Sequence, residues 1–540
     1  MSKIAERRWD MSIPRCEKNE ERGNHENLLC GRNEIAEGER EAVTGTGTGN
    51  AGNQAVQEKV EDVPPNGGYG WVCVAAVATI NGHTWGLNSA YGVFLAYYLA
   101  NNVFPGATPL HYAFIGGLSI SQALVVSPLA TLTTRVFGTR TTLLIGVVLE
   151  TASFIGASFS SQIWQLFLSQ GMCFGWGMGF LFVGSVGIAA QWFTTHRSLA
   201  NGICAAGSGL GGLIYSLAAQ AMIRDIGLPW TFRILAVLAF VVNTACALLI
   251  KDRHTEIGSS QLSFDHSLLK RMPFLGLLVF GFLSMLGYVV LLFSLPNYAK
   301  TIGLTAQQGS TVGAILNLGQ AIGRPPIGYF SDNVGRLNMA SSMTFLSGLF
   351  CLVIWSFANR YGVLVFFALL SGTVAGTFWA TCAPVMTEVI GLVDLPSALN
   401  ITWLVLVLPT TCTLNVERKG TVGIFKKKKS YSNVMMANIF TVAEVIGLEI
   451  VAFHGGSYTG AILFTGFMYV GAAMFLWLVR TWKIGEMEEK AAAAAAAVAA
   501  AGKVEGEVDL VGSGILNPSL PAADFRKSSF VKRMFMLRRV

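Results

Sequence analysis

Residues Leu316–Arg336 read LNLGQAIGRPPIGYFSDNVGR, and this stretch decides how the chain is read. One arginine, Arg324, stands near the end of an otherwise uncharged apolar segment, directly before Pro325 and Pro326. The stretch then closes on Ser331-Asp332-Asn333-Val334-Gly335-Arg336. A cation at membrane depth is costly, so a span that carries one turns it toward a cavity or a partner. The remainder of the chain has the composition of a scaffold around such a cavity.

The 540 residues are 52% hydrophobic and 13% charged, against about 25% charged in an ordinary soluble domain. Apolar runs of roughly 20 residues, each able to cross about 30 Å of hydrocarbon, recur from Trp71 to Arg480. The first runs from Trp71 to Ala100. Others follow near 111–134, 141–159, 163–190, 198–223, 231–250, 273–297, 307–330, 339–358, 362–386, after 397, and at 458–480. An all-α, multi-pass membrane protein of twelve spans, with the lipid bilayer as its surroundings, is predicted. The net charge of +7 sits in tails and short loops, so it marks topology and not a nucleic-acid partner. Nine scattered cysteines form neither a metal site nor a disulfide framework. No Ser/His/Asp set, Cys/His set or phosphate loop appears, so neither an enzyme nor a cofactor is expected.

Residues 1–64 are polar and Gly/Thr-rich and read as a disordered cytosolic tail. It ends at Asn66-Gly67-Gly68-Tyr69-Gly70-Trp71, a turn followed by aromatic anchors. Orientation follows from the loop cations. Arg135 and Arg140 lie between spans 2 and 3, Arg197 between 4 and 5, Lys251, Arg253, Lys270 and Arg271 between 6 and 7, and Arg336 between 8 and 9. These loops face the cytoplasm by the positive-inside bias, which places both termini there, with the plasma membrane as the expected location. Residues 484–540 form a cytosolic C-terminal tail. Within it Ala491–Ala501 reads either as a helical extension of span 12 or as a spacer, and Phe525–Val540 either as a leaflet-bound basic segment or as a solvated tail.

Pro128…Arg135-Val136-Phe137-Gly138-Thr139-Arg140 and Pro325…Asp332-Asn333-Val334-Gly335-Arg336 share one proline-to-glycine spacing. The second turn of each half therefore repeats, as in transporters built from duplicated bundles. Residues 65–250 and 273–483 are the two six-helix bundles, joined by a linker at 251–272. Within span 5, Ala206-Gly207-Ser208-Gly209-Leu210-Gly211-Gly212 follows no strand, so it reads as close helix packing and not as a dinucleotide loop.

The Asp-x-x-Gly-Arg turn and its copy resemble the major facilitator superfamily. Gly67-Gly68-Tyr69-Gly70-Trp71, together with Arg197-Ser198-Leu199-Ala200-Asn201-Gly202, resembles more narrowly its monocarboxylate-transporter family, in the fungal branch. The resemblance covers residues 64–483 and implies two bundles rocking about a midplane site. It also implies that the arginine before proline in span 8 takes part in anion binding. Proton-coupled members carry an aspartate four residues before that arginine and a lysine in span 1. This chain has Gln320 and Ser89 at those places, so the same lactate–proton machinery is not implied.

Span 11 starts at Leu395-Pro396-Ser397 but reaches only Thr411 before Asn415-Val416-Glu417-Arg418-Lys419 and Lys426-Lys427-Lys428-Lys429. Joining Thr411 to Ala443 restores a full span. We read residues 412–442 as an anomalous insertion, a translated intron, against the alternative of a genuine loop with Val434–Phe453 as span 11.

Arg324 is the leading candidate site, because a guanidinium stays charged and holds a carboxylate with two parallel bonds; snorkelling or pairing with Asp332 is the structural alternative. Gln320, Asn317, Asn81, His83, Asn88, Asn201, Trp379 and Asn400 complete the substrate-binding candidates. Asn81, Trp85 and Asn88 share one helical face, and His83 reads either as a hydrogen-bonding residue or as a proton relay. Glu150, an acid deep in span 3, is the candidate proton site, against a neutral packing role. Arg135, Gly138, Arg140, Asp332, Gly335 and Arg336 are the gating latches. The expected function is secondary transport of a small, monocarboxylate-like organic acid or an acidic amphipathic metabolite, with protons as a candidate co-substrate. The alternatives are efflux of a fungal secondary metabolite, uptake of a neutral vitamin-like solute, or a non-transporting membrane sensor. The sequence names no oligomeric state.

Overall fold

Asn66 fixes how the chain enters its first span. Its backbone lies in the left-handed region at φ 57, and its side-chain oxygen accepts from the Thr194 and Thr195 backbone N–H groups at 2.6 and 3.0 Å. The turn before span 1 is thereby tied to the loop after span 4. Span 1 comprises Tyr69–His83, Trp85–Ser89 and Tyr91–Asn101. At the first break, the Thr84 hydroxyl returns to the Ile80 carbonyl at 2.8 Å.

The computed structural model describes residues 64–105, 107, 109–258, 264–411, 450–451, 457–509, 530–536 and 538–539. The N-terminal tail up to residue 63 and the insertion at 412–442 lie outside the described residues, as does most of the alternative span at 434–453. Among the described residues there are helices and no strands. Span 2 comprises Pro109–Val125 and Ser127–Phe137; its two parts meet at 42° beside Pro128, as expected where a proline lacks its N–H. Span 3 is Thr139–Ser158, span 4 Ile163–Trp192, span 5 Arg197–Ile226 and span 6 Leu228–Leu249. Span 7 is Met272–Thr301, span 8 Ala306–Val334, span 9 Arg336–Phe357, span 10 Tyr361–Ile390, span 11 Leu395–Thr411 and span 12 Thr459–Asp509.

Eight of these helices are individually long and apolar enough to cross a membrane, or nine when the bent pair in span 2 counts as one. Span 1 is broken, span 11 is short and span 8 is too polar to qualify alone. Phe280, Val290, Trp355, Phe367 and Tyr469 belong to one cluster, centred on the second half, that also takes in Leu124, Phe182 and Ala190 of the first. Phe94, Tyr112, Phe154 and Phe232 form another in the first half, beside Ile80, Leu143 and Phe193.

Span 5 lies between span 1 and span 8 because its glycines admit both. A Cβ on Gly207 or Gly211 would overlap the backbone of Ala78 or Gly82, and one on Gly202 or Gly209 would stand 2.6–2.7 Å from the carbonyls of Arg324 or Asn317. Close backbone approach of this kind is what small residues permit in membrane helices. The glycine cluster is thus a two-sided contact that holds the halves together at the level of Arg324.

Of the two readings of Ala491–Ala501, the helical extension of span 12 is the one observed, whereas the last segment differs from both of its readings. The helix beginning at Thr459 continues past 480 to Asp509 and includes Ala491–Ala501. The last segment neither hangs free nor presents all its cations outward. Phe530–Met534 is helical and packs on span 12, where Arg533 Nε pairs with Glu488 at 2.8 Å and Trp477 Nε1 donates to the Met534 carbonyl at 3.0 Å.

Candidate functional site

A cavity lies between the two bundles. Its walls include Asn81, Trp85 and Asn88 of span 1, Asn201 and Ser208 of span 5, Tyr288 of span 7, Gln320 and Arg324 of span 8, and Trp379 of span 10. Asn81, Trp85 and Asn88 turn to this space from either side of the break at Thr84.

Arg324 is 2% exposed and reaches across the bundle interface. Nη1 donates to the Ala205 carbonyl and to Ser208 Oγ, both at 2.6 Å, and Nη2 donates to Gln320 Oε1. That same amide oxygen accepts from the Tyr288 hydroxyl at 3.1 Å, while Gln320 Nε2 donates to Asn317 Oδ1 at 3.4 Å. Gly376 of span 10 leaves room for the guanidinium, since a Cβ there would stand 2.6 Å from Nη2. Arg324 Nε is buried without a partner. Among the described residues no carboxylate stands within ion-pair distance of Arg324, so neither Asp332 nor any other acid neutralises it.

The other candidates separate. Asn201 donates to the Ala380 carbonyl at 2.6 Å, joining spans 5 and 10 at the cavity floor. Asn317 stands behind Gln320 and does not line the cavity. His83 holds the Thr79 carbonyl at 2.9 Å and meets the edge of Tyr215, away from the cavity. Glu150 is fully buried inside the first bundle, where it accepts from Asn243 of span 6 at 2.7 Å, and it does not reach the cavity either. Ser89, at the place of the family lysine, lines the cavity but bonds back to the Trp85 carbonyl at 3.0 Å. Asn400 lines a second cavity, between Thr131, Thr134 and Gln191 of the first half and Leu395 and Trp403 of the second.

The two turns singled out by the repeat differ in what they hold. Gly138 and Gly335 both adopt positive φ, 84 and 113, and so end spans 2 and 8 in the same way. The Asp332 carboxylate accepts from the Ser198 and Leu199 N–H groups at 3.0 and 2.9 Å, capping span 5 of the opposite bundle. Arg336 pairs with Glu388 at 2.7 Å and donates to the Thr194 carbonyl at 2.7 Å. Among the described residues Arg140 reaches the Ile250 carbonyl alone, at 3.5 Å, within its own half.

Sequence reasoning does not find Tyr288, Ser208 as an arginine partner, Gly376, Trp403 or Asn243. Tyr288 and Trp403 are single aromatic residues in apolar runs, where nothing periodic distinguishes a wall from a core. Ser208 carries a usable signal, since it sits within the glycine cluster that brings span 8 close.

Two helical bundles around a buried arginine that no carboxylate among the described residues neutralises are an arrangement that suits a multi-pass membrane transporter. Residues 74–305 and 277–402 match the family model described as Major Facilitator Superfamily, and the chain belongs to that superfamily. It is 33% identical over 444 residues to the Probable transporter MCH2 of Saccharomyces cerevisiae, covering 81% of this chain and 87% of that protein. It is 26% identical over 394 residues to Monocarboxylate transporter 10 of Rattus norvegicus, covering 68% and 75% of the two chains. Among solved structures, the transporter FucP in its outward conformation superposes with a TM-score of 0.57 at 12% identity, covering 76% of this chain and 99% of that one; this likeness concerns the fold. The chain is therefore a transporter and not an enzyme.

Proposed function

We propose that this transporter moves a small organic acid, or an amphipathic metabolite with an acidic group, across the plasma membrane by alternating access. The observation that carries this reading is Arg324, buried at the wall of the central cavity with no acid among the described residues to neutralise it. A buried cation without a counter-charge is costly, and an anionic substrate supplies the missing charge, with the orphan Nε available as a further donor. The name of the rat relative, a monocarboxylate transporter, points the same way.

The latch face, which carries Asp332 and Arg336, is the cytoplasmic one in this reading, since the loop cations gather there; both termini follow it. Asp332, Arg336 and their partners shut that face, while Gly138 and Arg140 shape the matching turn of the first bundle. Proton coupling through Glu150 finds no support in its position: the Glu150–Asn243 pair reads as a packing contact between spans 3 and 6. The 65–250 and 273–483 bundles rock about the cavity as units, with 251–272 as their tether.

The reading is tested by uptake and efflux of labelled pyruvate, benzoate and citrate in cells expressing the chain with and without residues 412–442. Movement of at least one acid, inhibited by the other acids and not by neutral solutes, is expected. Movement of neutral solutes alone would favour the rival reading of a neutral, vitamin-like substrate, for which the amide of Gln320 in place of an acid is the supporting feature.

A further inference from the structure

Four aromatic side chains stand between the two cavities, two from each bundle. Trp85 of span 1 and Phe182 of span 4 come from the first half, Trp379 of span 10 and Trp403 of span 11 from the second. Ring centroids lie 5.1 Å apart for Trp85–Trp379, 5.3 Å for Trp85–Phe182, 5.1 Å for Phe182–Trp403 and 5.8 Å for Trp379–Trp403. The last pair is stacked, with 16° between the planes. Trp85, Phe182 and Trp379 line the central cavity, and Trp403 lines the second one. Rings that line the two cavities are thus in mutual contact, and the contacts cross from one bundle to the other.

The quartet has a second property. The indole N–H groups of Trp85 and Trp403 are both buried without a hydrogen-bond partner. A buried donor left unpaired is destabilising, and an indole N–H in a protein interior ordinarily finds an acceptor. One of these unsatisfied donors belongs to a ring on each cavity, and both are covered while the rings are in contact.

We propose that the Trp85/Phe182/Trp379/Trp403 quartet is the gate between the central and the latch-side cavities, and that a substrate oxygen accepts from the Trp85 and Trp403 N–H groups as the gate opens. Opening then favours a solute that carries an acceptor oxygen, and the apolar ring faces exclude small ions lacking an organic body. Arg324 holds the anion at rest, whereas the indoles act on its passage, so they set turnover and not affinity. This inference rests on the organic-acid reading for its second half only.

The test uses the full-length chain in proteoliposomes. Ser89→Cys, on a Cys204→Ala background because Cys204 also lines the central cavity, places a reporter thiol there. A membrane-impermeant thiol reagent applied at the latch face is expected to label that thiol at least tenfold faster once Trp403→Ala is added, and at an unchanged rate with Trp403→Phe, which keeps the ring. Trp403→Phe and Trp85→Phe are each expected to lower the turnover of the best-transported acid among pyruvate, benzoate and citrate about tenfold, with KM within twofold. Thermal stability of each unliganded variant, measured alongside, separates these effects from misfolding, and Trp85→Phe serves if Trp403→Phe fails to fold. Equal labelling in Trp403→Ala and the reporter alone overturns the gate. Wild-type turnover in both phenylalanine variants overturns the donor role. If no acid is moved by the unsubstituted chain, the donor role falls together with the organic-acid reading, and labelling alone decides the gate.

Discussion

The two turns that the sequence repeats make an instructive contrast. Counted from Pro128 and Pro325, Arg135 occupies the place of Asp332. The second turn crosses to the opposite bundle through Asp332 and Arg336, whereas Arg135 has no hydrogen-bond or ion-pair partner among the described residues and Arg140 stays within its own half. The glycine conformation is common to both copies, and the acid is not. A helix start presents free N–H groups and a positive end of the dipole, so a carboxylate docks there and an arginine does not. One acid therefore makes one copy of a duplicated turn a clasp and leaves the other a plain corner.

The largest effect expected from breaking this contrast is that of Asp332→Ala. It removes two bonds from span 5 to a charged acceptor, each of a kind that contributes about 1.5–3 kcal/mol. Faster thiol labelling of the Ser89→Cys reporter from the latch face and a transport loss of tenfold or more are the expected outcomes; unchanged labelling would show that the clasp does not hold this face shut. Glu388→Gln comes next. It leaves Arg336 bonded to Thr194 and near Asp332, at 3.6 Å, so a loss of a few-fold is expected in the same assay.

A smaller effect is expected at the C-terminal segment. Arg480, 3% exposed, donates to the Met536 carbonyl and to Asn338, and Asn338 Nδ2 donates to the Arg538 carbonyl at 2.8 Å. Arg539 bonds the Asp332 carbonyl, so the segment buttresses the clasp from behind. Deleting residues 530–540 is expected to raise reporter labelling two- to threefold, less than Asp332→Ala. The smallest effect is that of Arg135→Gln, for which transport within twofold of the unsubstituted chain is expected; a loss as large as that of Asp332→Ala would abolish the contrast.

The linker adds a pH dependence whose sign can be worked out. Burial lowers the His254 imidazole below its ordinary value, with Asp252 opposing, and the ring faces Gln191 at 3.2 Å. A docked imidazole that resists protonation is stable above its usual pKa, about 6.5, and loses stability as pH falls below it. Proteolysis of the 251–272 linker is expected to accelerate between pH 7 and pH 5.5 and to become flat in His254→Gln.

Much of the fold is legible in the sequence because its signals are periodic or local. Long apolar runs, two matched proline-to-glycine turns and a charged residue in span 8 each carry a physical requirement readable from residue order. The glycine cluster reads as close packing, and Gly207 and Gly209 do lie against the backbones of spans 1 and 8. What lines the cavity is less legible, because helical period places residues on a face without saying what that face meets. Asn81 and Asn88 reach the cavity, while His83 of the same span lies against Tyr215. Glu150 is polar and deep, yet its neighbour is Asn243, 93 residues away, which no local pattern announces. The insertion at 412–442 lies outside the described residues; we propose that it is a translated intron, and sequencing the transcript decides it, a mature message retaining the segment being the contrary result.

The central claim is that Arg324 serves an anion. The most direct measurement is transport of a labelled organic acid, with acid-dependent thermal stabilisation, in Arg324→Lys and Arg324→Gln proteoliposomes. Lysine keeps the charge without the planar fork, so partial binding is predicted for Arg324→Lys, and loss of both binding and transport for Arg324→Gln with the fold intact. Full acid binding by a correctly folded Arg324→Gln chain would contradict the account.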